Sequence, residues 1–82
     1  MNLAMKLKYF RLMTLDFEVG DIITHSHAKY NSKYSRRYCW RVIRITQDDN
    51  WQMTVQHCGL DRSMANDIYT ITYGQRKDFK II

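Results

Sequence analysis

The chain has 82 residues, a net charge of +5 and an apolar share of 45%. Such a length holds one domain, residues 1–82, whose small core covers only ~60–65% of the unfolded surface. The apolar share argues against disorder, apolar runs of a few residues predict no membrane span, and the positive balance favours a polyanionic partner.

The opening residues scatter Lys6, Lys8 and Arg11 among apolar side chains, where a signal peptide would carry an unbroken apolar segment. Two cysteines without a wider framework fit a reducing compartment, so the expected location is cytoplasmic. Met5, Leu7 and Tyr9 alternate with Lys6 and Lys8 and predict a strand over residues 3–13, although Leu3, Leu7 and Phe10 also fit a helical stripe. Leu15, Phe17 and Val19 alternate with Asp16 and Glu18, Gly20-Asp21 interrupts, and Ile22 to His25 resumes as strand. The pattern Phe17-x-Val-Gly-Asp-x-Ile23 resembles the opening of SH3-like small barrels, in which an apolar anchor and a Gly-Asp turn lead into the first long strand. That resemblance implies a small curled barrel.

Residues 28–37 read as a long polar loop with one helical turn, because Asn31, Ser32 and Ser35 favour turns over helix interiors. Residues 38–46 and 51–58 form a hairpin around Gln47-Asp-Asp-Asn50, with Trp51, Met53, Val55 and His57 alternating against Gln52, Thr54, Gln56 and Cys58. A symmetric turn sets Cys39 opposite Cys58 and Trp40 opposite His57. It also turns Ile43 and Ile45 to the polar face, and a one-residue bulge would return both to the core side. Residues 59–67 read as a loop with room for one helical turn, 68–73 as a strand, 74–78 as a turn and 79–82 as a short edge strand compatible with homodimer pairing. The expected fold is all-β: a small SH3-like or related barrel of five or six antiparallel strands with a long basic loop.

The functional signal lies in residues 29–44. Lys29, Lys33, Arg36, Arg37, Arg41 and Arg44 alternate with Tyr30, Tyr34, Tyr38 and Trp40, and no carboxylate occurs from Ile22 to Gln47. Cations bind phosphates and release counterions, while rings offer faces for unpaired bases. Arginine dominates, and its fork suits phosphate better than lysine does. These ten residues are the expected nucleic-acid-binding set. No recognition helix is visible for a major groove, so single-stranded or structured RNA, or an RNA–protein complex, is the favoured partner. Gln52, Thr54 and Gln56 would read base edges from the neighbouring strand. By analogy with small phage-type or mobile-element inhibitors, such a chain would act by occupancy rather than chemistry.

Two other readings stand beside it. The cationic face could dock on an acidic protein surface as an inhibitor. His25, His27 and His57 could serve a metal-independent ribonuclease, since imidazole titrates near neutrality. No nucleophile elbow, phosphate loop or paired-carboxylate pattern supports an enzyme, so none is expected. His25-x-His27, Cys39, His57 and Cys58 offer zinc-type ligands without knuckle spacing, and no metal or cofactor is expected.

Overall fold

A computed structural model describes residues 17–47 and 50–82. The strand expected over residues 3–13 lies outside them. The described residues form five strands in one antiparallel sheet: β1 (Ile22–His25), β2 (Trp40–Thr46), β3 (Gln52–His57), β4 (Ile68–Thr72) and β5 (Phe79–Ile81). The order is β4-β3-β2-β1-β5, so the last strand returns to pair with the first. The all-β expectation holds, but the described strands do not close into a barrel. β4 and β5 stand at opposite edges, and the three residues of β5 pair with β1 alone among the described strands.

Register explains the core. Ile23 opposes Trp40 and Ile81, Val42 opposes Val55, and Met53 opposes Ile45 and Ile71. Directly opposed residues of an antiparallel pair share a face. That face carries Ile23, Trp40, Val42, Met53, Val55, Ile71 and Ile81, all buried together with Phe17. The opposite face carries Ile22, Arg41, Gln56 and Ile68 in one row, Arg44, Thr54 and Thr70 in the next, and Thr46, Gln52 and Thr72 in a third.

The hairpin has the expected Trp40–His57 pairing, and the register shifts between Val42 and Arg44. The bulge returns Ile45 to the core side opposite Met53, but Ile43 is the extra residue and stays 39% exposed. One inserted residue can correct the positions after it and cannot correct itself. The first turn also departs from expectation. Phe17 is buried, whereas Val19 lies in the turn and is exposed, so the alternation through Val19 does not continue as strand. Gly20 has φ 98°, a left-handed conformation that glycine adopts without steric cost. Its N–H donates to the Val42 carbonyl, and Val42 N–H donates to the Asp21 carbonyl, which pins this turn to β2.

Candidate nucleic-acid interface

The basic stretch begins after β1 and contains one short helix, α1 (Lys33–Arg37). Its start is chemically defined. The Ser32 hydroxyl accepts from Ser35 N–H at 3.1 Å, and the Ser35 hydroxyl accepts from Ser32 N–H at 3.0 Å. The serines that read as loop formers therefore cap this turn of helix, after Asn31 reverses the chain with φ 51°. The other end is held from outside. Leu60 N–H donates to the Arg36 carbonyl and Asp61 N–H to the Arg37 carbonyl, satisfying groups a helix end leaves open. Gly59 makes this approach possible: a Cβ there would collide with the Arg37 carbonyl oxygen and lie 2.7 Å from its carbon.

This docking brings two distant segments together. Lys33, Arg36 and Arg37 from α1 and Leu60, Asp61 and Arg62 from the following loop line an open groove of about 480 Å³. Arg62 was not legible as a site residue, because nothing in the sequence places residues 60–62 beside residue 37. Nor was Asp61, which lies 3.8 Å from the Arg37 guanidinium. The basic stretch lacks carboxylates of its own, yet Arg37 has one supplied by the fold. Asp61 is itself held below the usual carboxylate range, chiefly by hydrogen bonds from the Ser63 hydroxyl and amide.

Arg36 also borders a second groove, of about 450 Å³, with Tyr30, Asn31, Ser35, Ile22 and Ile82. Tyr30 is 60% exposed. The Lys80 ammonium stands 4.2 Å from its ring centroid and donates to the Ala28 carbonyl, tying residues 28–30 to β5. Ile22 opposes Arg41 across β1 and β2, so this groove borders the polar face of the sheet. Arg41 and Arg44 are exposed there, with Thr54 and Gln56 as direct cross-strand partners and Gln52 two positions further along the strand. Lys29 is exposed beside Tyr30.

The remaining rings behave differently. Tyr34 and Tyr38, four residues apart, pack at 4.9 Å, and the Tyr34 hydroxyl lies 2.6 Å from His25 Nδ1. Tyr38 is half-buried against the core. Trp40 is 5% exposed, with its ring against His25, His57, Tyr69 and Phe79. Its register opposite Ile23 and His57 turns it inward, so its faces are not presented for stacking. The histidines separate in the same way. His57 is 2% exposed and its ring nitrogens have no hydrogen-bond partner. His25 and His27 stack at 5.3 Å; burial, then His27, lowers the pKa of His25 against an opposing pull from Asp78.

Among the described residues, no group of three or more histidines, cysteines or acids is placed to hold a metal ion. No described helix is long and apolar enough to cross a membrane. No protein-family model, curated protein or solved structure matches this chain.

Proposed function

We propose that this chain binds single-stranded or structured RNA without catalysing a reaction. The supporting observation is the position of Arg36, the shared wall of a cationic groove and an aromatic one. Phosphates would follow Lys33, Arg36, Arg37 and Arg62, and an unpaired base would lie against Tyr30. Beyond Ile22 the strand would run across Arg41 and Arg44, with Gln52, Thr54 and Gln56 offering donors and acceptors to base edges. A polyanion track beside a ring and a flat polar sheet suits unpaired nucleotides better than a duplex groove. Binding of this kind would act by occupancy, blocking an RNA or an RNA–protein complex.

Leu60 favours one rival. It is 75% exposed in the wall of the cationic groove, as suits an acidic protein surface with an apolar centre. Gel shifts over a salt series separate the two. With four phosphates engaged, log affinity for a single-stranded RNA falls against log salt with a slope of about −2.8. Arg36→Glu with Arg37→Glu abolishes the shift. A clean preparation that shifts no RNA at low salt, yet retains one protein after nuclease treatment, rejects the RNA reading.

A further inference from the structure

Cys39 and Cys58 lie one step beyond the Trp40–His57 pair, where Cys58 N–H donates to the Cys39 carbonyl at 3.0 Å. Both are free thiols, and their sulfurs are 3.7 Å apart. Hydrogen-bonded antiparallel pairs hold their Cα atoms ~5.5 Å apart, inside the ~4.4–6.8 Å that a disulfide spans. Side-chain rotation can therefore close the sulfurs to the ~2.05 Å of an S–S bond without separating the strands. The two thiols differ in access. Cys58 is exposed, while Cys39 is buried.

We propose that Cys39 and Cys58 form a reversible oxidation site whose disulfide staples the 58–61 loop to the C-terminal end of α1. A hydroperoxide is the oxidant class. The Cys58 thiolate attacks the terminal peroxide oxygen, the O–O bond breaks, the alkoxide leaves (hydroxide when the oxidant is hydrogen peroxide), and the sulfur, oxidised by two electrons, becomes a sulfenic acid. The Cys39 sulfur then attacks it: the S–S bond forms, the S–O bond breaks, and water leaves carrying the Cys39 proton. Burial, followed by the neighbouring Cys58, pushes the Cys39 thiol up to about 11, which suits the resolving partner rather than the first reactant. A dithiol reductant reverses the bond by exchange.

The location gives the bond a structural effect. Cys58 precedes Gly59, which packs on the Arg37 backbone, and Leu60 and Asp61 donate to the Arg36 and Arg37 carbonyls. These contacts are the seam between the two walls of the basic groove. The site stands whether or not that groove binds RNA.

The test uses the whole chain, native, with hydrogen peroxide as the probe. Expected are a monomer that loses both free thiols and two hydrogen atoms in mass, regains them with dithiothreitol, and melts at a higher temperature when oxidised. Hydrogen exchange at the Leu60 and Asp61 amides slows in that form. Cys39→Ala halts at a Cys58 sulfenic acid that dimedone traps, and if that variant does not fold, the thiol count of the unmutated chain decides. Covalent dimers, sulfinic acid at Cys58 with Cys39 still free, or a bond formed only after denaturation overturn the site. A disulfide that leaves the two amides unchanged overturns the staple.

Discussion

Trp40 and His57 face each other across β2 and β3 with ring centroids 5.4 Å apart at 83°, and neither the indole N–H nor either imidazole nitrogen has a hydrogen-bond partner. An unpaired buried polar group costs ~1–3 kcal/mol. His57→Phe keeps the aromatic edge contact and removes two such atoms. The expected result is a higher urea midpoint, by ~1 kcal/mol of stability at unchanged m. A loss of stability would show that the imidazole has a partner in solution.

His25 gives the fold a pH dependence with a definite sign. Its folded pKa is lowered by burial first and His27 second, against an unperturbed value of 6.5. The unfolded chain therefore takes up this proton at higher pH than the folded one. The contribution is fully present above 6.5 and is lost as pH falls through the folded value. Melting temperature should drop as pH falls below 6.5, the unperturbed value, and His25→Gln should flatten that part of the profile. His27→Gln should flatten it in part, since it removes the His27 repulsion while burial persists.

Much of the sheet was legible because β3 shows its alternation locally and the other strands show β-branched and aromatic runs bounded by turn residues. The bulge was legible too, from the conflict between Ile43, Ile45 and the alternation of β3. Its effect on Ile43 was not, since that depends on which residue is extruded. Trp40 illustrates the limit at the site. A tryptophan between cations reads the same on either face until the register opposite His57 and Ile23 is fixed. Likewise Ser32 and Ser35 bear the composition of a loop, and only their mutual hydrogen bonds make them a cap. Asp61, Arg62 and Lys80 reach the basic stretch through tertiary contacts that no local pattern encodes.

Gly59 tests the seam between α1 and the 58–61 loop. An alanine methyl there would press on the Arg37 carbonyl group and lie 3.1 Å from Cys39 N, all backbone atoms. Backbone cannot rotate away as a side chain can, so the loop must lift. Gly59→Ala should cost ~1–3 kcal/mol in denaturant unfolding, with faster exchange at the Leu60 and Asp61 amides. Gly74→Ala is the control, since a Cβ there meets nothing within 4 Å.

Asp61 is a brake on the proposed interface. Its carboxylate lies 3.8 Å from Arg37 and faces the groove that Lys33, Arg36 and Arg62 also line. Asp61→Asn keeps an acceptor for Ser63 and removes the charge. Removing the carboxylate's competition for Arg37 should raise RNA affinity at low salt by about 1.5- to 5-fold. The gain should shrink as salt is added, and isothermal titration at two ionic strengths measures both.

Tyr30 separates stacking from charge. Lys80 holds the ring in place, yet the side chain stays 60% exposed beside Arg36. A base resting on that ring contributes ~1–3 kcal/mol, irrespective of its identity. Tyr30→Ala should weaken single-stranded RNA by that amount, leave the salt slope unchanged and leave any duplex affinity untouched. Tyr30→Phe should restore the loss, because the ring face rather than the hydroxyl is used. Fluorescence of a 2-aminopurine placed along the strand should fall on binding to the unmutated chain and to Tyr30→Phe. An equal loss of single-stranded and duplex binding in Tyr30→Ala would mean that the ring supports the loop and does not touch a base.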